Sequence, residues 1–309
     1  MENIKKFSLK LENFHSCQES WLLKNLIPKE SLGLLYGSSA SGKTSVCLYF
    51  CKEILKKDNE IRVFYINADM GISSLKKYGF ANLLENFVNR FFLIDLTCYD
   101  KKFMLFENIC DEIIKIQSKF NVFMIVDSLN CVTKKIGRFI DPNYLFSKEK
   151  IIRKRGGTVL FIHHLNKSGV FSDSHQIVDY ADFSYKCEYN EEMNSILLKP
   201  EKIGRFLLEK IAFKVLNFSN LEKMEFDSVE MSSYEIEFIK TVLEILKMGR
   251  FKQNELINLV LRNCKRYVGR EKARKLLQEY AKKGKWCMLK NRFDNNSIFY
   301  YLKMRKNNG

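Results

Sequence analysis

The sequence predicts a doubly wound α/β domain with a mostly parallel sheet and antiparallel edge strands, followed by a small, basic C-terminal domain of winged helix-turn-helix pattern. Three observations carry this. Short apolar runs rich in β-branched and aromatic residues alternate with helix-period segments through the first half of the chain. A Gly-rich stretch, GSSASGKT (37–44), joins the first of these runs to the first helical segment. Positive charge gathers at the end: residues 231–309 hold 19 Lys/Arg against 7 Asp/Glu, or +12 of the chain's +16.

Four runs read as buried parallel strands: LGLLY (32–36), RVFYIN (62–67), VFMIVD (122–127) and TVLFIHH (158–164). Helical patterns lie between them at 43–57, 103–119 and 144–154. From about 183 to 216 the text changes to paired runs, FSYKCEY, SILLKPEK and LLEKIAFKVL, which read as antiparallel strands extending a sheet edge. A polar stretch near 217–230 precedes three helix-period segments and two strand-like runs, WCMLKNR and SIFYYLKM, joined by FDNN. Three helices and a two-stranded ribbon in that order are the winged-helix pattern. The expected domains are therefore residues 1–225 and 231–309.

At 309 residues and 46% hydrophobic content the chain can bury a sizeable core. Its nine cysteines include no CxxC pair and no Cys/His cluster at zinc spacing, which argues against a disulfide framework and a structural metal. The first residues lack an apolar h-region and no apolar run approaches 18 residues, so a cytoplasmic protein without a membrane partner is expected.

GSSASGKT satisfies GxxxxGK[ST], with Gly37, Gly42, Lys43 and Thr44 in the fixed positions. Glycines let the backbone curl so that the amides of Ser39, Ala40, Ser41, Gly42, Lys43, Thr44 and Ser45 face phosphate oxygens at a helix N-terminus. Lys43 would bridge the β- and γ-phosphates of ATP, and the Thr44 hydroxyl would ligate Mg²⁺. Asp127 ends VFMIVD, where a carboxylate can complete the Mg²⁺ shell through water. Asp69, in YINADMG, is placed either to polarise an attacking water or to cap the helix that begins near Ile72. His163 and His164 end the fourth strand on opposite faces, so at most one senses a γ-phosphate. Lys199, Lys202 and Arg205 lie on the edge hairpin, either as a solvated basic turn or as a cation that reaches a neighbouring subunit's nucleotide. In the basic tail Arg266, Arg270, Arg274 and Lys275 crowd the recognition-helix segment, with Lys290 and Arg292 in the wing.

With GSSASGKT, YINADMG, IVDSLN, FIHHLNKSG and SDSHQIVDYADFSYKCE in this order, residues 20–215 resemble the RecA-like ATPases of the plasmid RepA hexameric-helicase type. The resemblance implies ATP hydrolysis at the interfaces of a ring, with Asp69 as catalytic carboxylate, His164 as γ-phosphate sensor and Arg205 as the cation acting in trans. Asp69 is one methylene shorter than the glutamate usual there, and Lys202 and Arg205 are one residue further apart than the usual Lys-x-Arg. The expected protein is a Mg²⁺-dependent ATPase that works on DNA as a ring or filament, single-stranded in the ring or double-stranded through the tail. Its rivals are an ATP-switched DNA-binding initiator or regulator, a small-molecule kinase and a protein-interaction module.

Overall fold

The protein is described here from a computed structural model, covering residues 20–136, 139–140, 147–165, 176–202, 206–226, 229, 233–264, 269–291, 294 and 296–302. The chain divides into two compact units, residues 1–229 and 230–309.

Among the described residues the first unit is built on a nine-stranded sheet. Strands β1 (Trp21–Leu23) and β2 (Ile27–Pro28) form a small hairpin ahead of it. Then follow β3 (Leu32–Gly37), α1 (Lys43–Lys57), β4 (Ile61–Asn67), α2 (Ile72–Tyr78), α3 (Phe80–Asn86) and β5 (Phe91–Asp95). The chain continues through α4 (Lys102–Ile116), β6 (Asn121–Asp127), the short pair β7 (Lys135–Ile136) and β8 (Phe139–Ile140), α5 (Ser147–Lys154), β9 (Thr158–His164) and α6 (Gln176–Tyr180). Strands β10 (Phe183–Asn190), β11 (Ser195–Lys202), β12 (Ile211–Asn217) and β13 (Asn220–Met224) complete it. The sheet order is β13-β12-β11-β10-β3-β9-β6-β4-β5; the strands from β10 to β5 run parallel and the other edge is antiparallel.

Alternation along each central strand divides the core into two layers, because successive side chains leave opposite faces. Leu35, Tyr65, Ile125 and Ile162 face α1, whose Val46, Phe50 and Ile54 pack on them. Leu34, Ile66, Val126 and Phe161 face the other way, against Phe106 and Ile113 of α4 and Ile152 of α5. Both faces are thus covered by helices, the arrangement that allows parallel strands to be apolar throughout.

The strand and helix cores expected from the apolar runs appear within a few residues, and several short or edge elements join them unannounced. β5 reads poorly because it is an edge strand on which Phe92 is exposed. β13, in the polar stretch, buries only Leu221, as suits a sheet edge. β1 and β2 are too short to register as runs.

The second unit contains α7 (Ser233–Leu246), β14 (Phe251–Lys252), α8 (Gln253–Asn263), α9 (Arg270–Lys282), β15 (Cys287–Asn291) and β16 (Ser297–Tyr301). Its sheet order is β14-β16-β15, so a short third strand joins the expected ribbon. Phe238, Val242, Leu256, Val260, Leu277 and Tyr300 form a core of its own, and the buried Trp286 donates its indole N–H to Leu277 O at 3.0 Å.

The Ala181-Asp182 pair has a structural task. The Asp182 N–H donates to Leu32 O at 2.7 Å, while its carboxylate accepts from the Leu32 N–H at 2.9 Å and from Arg153 at 2.8 Å. It thereby fixes the start of β3, which leads into the Gly-rich loop, against β10 and α5. Asp182→Ala leaves the buried Leu32 N–H short of a partner and is expected to cost about 1–3 kcal/mol in urea unfolding; an unchanged midpoint would refute this role for the carboxylate.

Candidate active site

The site forms along the C-terminal ends of β3, β9, β6 and β4. Parallel register sets Gly37 level with His164, and Asn67 level with both Asp127 and Asp95. Side-chain alternation puts Asp127, Asn67 and His164 on the α1 face, the face from which the Gly-rich loop rises. His163 takes the opposite face and is fully buried, whereas the side chain of His164 is 34% exposed. This separates the two histidines that the sequence leaves open.

Residues 38–42 loop from β3 into α1 under tight spatial limits. Gly42 has φ +91°, a left-handed value, and a Cβ there would lie 2.3 Å from Ile196 Cδ1. A Cβ on Gly37 would lie 2.3 Å from the carbonyl oxygen of Cys187. The Cys187 thiol donates to Ser41 O at 3.1 Å, and burial pushes that thiol up to about 12. The β10-β11 hairpin therefore acts as a wall that shapes the loop. Ser38, Ser39 and Ala40 are exposed, Ser41 and Ser45 buried. No side chain caps α1 and its first turn carries no acid, so its N-terminal amides suit an anion.

Lys43 is 4% exposed and folds over this loop, donating from Nζ to Gly37 O at 3.0 Å and Ser38 O at 2.6 Å. Burial lowers its pKa, opposed by the nearby Cys187 and Asp127. Asp127 is buried and accepts from the Tyr65 hydroxyl at 2.6 Å and the Thr44 hydroxyl at 3.3 Å. Desolvation raises its pKa, against the pull of those hydrogen bonds and of His164.

Asp69 sits in a loop braced by Asn67. The Asn67 amide accepts from Met70 N at 3.0 Å and donates to Met70 O at 2.7 Å and to Asp95 at 2.9 Å. The N-cap of α2 is Gly71, with no side-chain cap, so Asp69 is not engaged as a helix cap. It lies 3.4 Å from His164 Nε2, with 48% of its side chain exposed, and the hydrogen bond from that imidazole holds its pKa low. Lys102 adds positive charge beside it and donates to Ala68 O at 2.8 Å.

A cleft of about 590 Å³ opens beside the loop between Ser39, Tyr78, Tyr189 and Phe218. Tyr78 meets Phe218 edge-on at 5.3 Å. Sequence reading missed these aromatics, as it missed Tyr65 and Lys102; each comes from a separate element, and no local spacing marks them.

Two of the three candidate hairpin cations are held within their own unit. Lys199 pairs with Glu188 at 3.1 Å, and Lys202 donates to the carbonyls of Val178 and Asp179 at 2.9 and 2.7 Å. Arg205 lies outside the described residues. In the second unit, Arg270 opens α9 and donates to Asn258 at 2.5 Å, while Arg274, Lys275 and Lys290 are exposed. Arg266 and Arg292 lie outside the described residues.

The hydroxyl of Thr44 and the carboxylate of Asp127 form a hard-oxygen pair suited to a Mg²⁺ shared with phosphates. Among the described residues no cluster of three or more His, Cys, Asp or Glu could cage a metal alone. No helix among them is long and apolar enough to cross a membrane.

The raised Asp127 pKa means that ionising this carboxylate opposes folding, increasingly as pH rises through its folded value. Asp127→Asn is therefore expected to raise the melting temperature of the nucleotide-free protein by about 2–4 °C at pH 8. The gain should vanish below the unfolded carboxylate value of about 3.9. A variant that melts at or below wild type at pH 8 would contradict the assignment.

An AAA domain family model matches residues 7–109, a third of the chain. No curated protein matches. The solved ATPase domain of a helicase is similar in structure at 15% identity and TM-score 0.51, over 64% of this chain and 86% of that one. The flagellar accessory protein FlaH from Methanocaldococcus jannaschii aligns at 14% identity and TM-score 0.46, over 64% of this chain and 91% of its own. The sheet, the loop, the AAA match and the likeness to the helicase domain together give the first unit a RecA-like P-loop ATPase fold.

Proposed function

We propose that the protein is a Mg²⁺-dependent ATP hydrolase that couples turnover to DNA binding and translocation or unwinding, as a helicase-like protein of a plasmid, phage or other mobile element. The observation that carries this is the meeting of Lys43, Thr44, Asp127, Asp69 and His164 at neighbouring strand ends. The loop amides and Lys43 bind the phosphates, with Lys43 exchanging its loop carbonyls for phosphate oxygens. The cleft lined by Tyr78, Tyr189 and Phe218 accepts the base. Thr44 and Asp127 would hold Mg²⁺, which when bound neutralises phosphate charge. Asp69, ionised and partly solvated, orients the attacking water and takes its proton as the terminal phosphoanhydride bond breaks. His164 positions Asp69 and reports the terminal phosphate.

The second unit is read as a winged-helix DNA-binding domain. The order α7, β14, α8, α9, β15, β16 supports this, as does the +12 charge of residues 231–309. On α9, Arg274, Lys275 and Lys282 are exposed along the side opposite Ala273, Leu277 and Tyr280, which are buried. Arg266, Arg270 and Arg292 are assigned to the same surface, together with Lys290. Assembly into a ring or filament would let Arg205 act on a neighbouring subunit's nucleotide. A second reading, an ATP-switched initiator or loader with little motor activity, is favoured by the internal engagement of Lys199 and Lys202.

ATPase rates with and without single-stranded DNA discriminate these readings. Lys43→Ala is expected to lower turnover by about 100-fold or more, and DNA to stimulate the wild type alone. Turnover unaffected by DNA leaves the switch; equal rates for wild type and variant would remove both.

A further inference from the structure

The three-stranded sheet of the second unit has one face in the core and one that the core does not use. Phe251, Ile298 and Tyr300 pack inward. Residues directly opposite in an antiparallel pair share a face. The register of Lys252 and Leu289 with Phe299, and of Cys287 with Tyr301, therefore places these five side chains together on the other face. Leu289 is 44% exposed, and Phe299 and Tyr301 are half-buried. The Arg250 guanidinium lies 4.1 Å from the Phe299 ring centre and 6.0 Å from that of Tyr301. Lys252 Nζ is 5.6 Å from the Phe299 ring and pairs with Asp294 at 2.6 Å.

Two aromatic rings on alternate residues of one strand stand about 7 Å apart, each flanked by a cation. Rings in this arrangement offer their faces to planar partners, while guanidinium and ammonium groups meet phosphates. The nucleic-acid form that presents base faces is an unpaired strand; a duplex offers groove edges and phosphates. The charge of residues 231–309 selects a polyanion over an apolar protein surface.

We propose that this sheet face is a stacking platform for single-stranded nucleic acid. Phe299 and Tyr301 each take one base, and Arg250 and Lys252 face the intervening phosphates. The inference rests on reading the second unit as nucleic-acid-binding, and it assigns bases to the sheet rather than to α9.

The test uses the full-length protein with an oligo(dT) 20-mer carrying 5-iodouracil, photocross-linked and mapped by mass spectrometry, beside anisotropy titrations of the oligo(dT) and of a duplex of equal length. Cross-links within residues 297–301 are expected. Phe299→Ala should weaken oligo(dT) binding about tenfold, keep the melting temperature and leave duplex affinity unchanged, while Phe299→Tyr restores binding. Arg274→Ala on α9 should weaken the duplex alone. Cross-links confined to other segments, or wild-type oligo(dT) affinity in Phe299→Ala, overturn the platform while leaving the duplex reading standing. Absence of salt-dependent binding to either form would instead remove the nucleic-acid reading of this unit and the platform with it.

Discussion

Lateral register among parallel strands is the constraint on which the site depends. Pairing of β3 with β9, β9 with β6 and β6 with β4 brings the ends of four strands to one edge of the sheet. Backbone hydrogen bonds do this, and the side chains inherit the result. A slip of one residue in β9 would exchange His163 for His164, sending the imidazole beside Asp69 into the α4 layer. The continuous apolar character of these strands, covered on both faces, holds that register in place.

The two carboxylates differ because their solvation differs. Asp127 is enclosed by Tyr65 and Thr44, and desolvation dominates its titration. Asp69 stands half in solvent with an imidazole donor, and that hydrogen bond dominates. One group is built to need a cation beside it and the other to remain a free anion. The strand ends would look equivalent without this difference in cover.

Much of the site could be read from local sequence because its chemistry is local. The curl of a phosphate loop needs glycine where φ is positive, and Gly42 supplies it. Strand-terminal acids are visible once VFMIVD is recognised as a buried strand. Tyr65, Lys102 and the aromatics of the cleft were not legible, since their roles arise only when segments up to 140 residues apart come together. The same holds for the division of labour between His163 and His164, which depends on which layer of the core each strand face meets. At the sheet edges, β5 and β13 escaped because burial on fewer sides leaves a weaker apolar signature. Lys199 and Lys202 look identical in sequence to free cations, and only the fold pairs them with Glu188 and with backbone carbonyls.

The contact of Gly42 with Ile196 joins two positions 154 residues apart. Neither can change in size alone: a side chain at 42 needs a smaller one at 196, and a bulkier one at 196 meets backbone that has nowhere to retreat. Among descendants of this sequence the two positions should therefore drift as a pair. The phosphate loop then carries a record of the hairpin behind it, and a loop transplanted without that hairpin would lose its curvature.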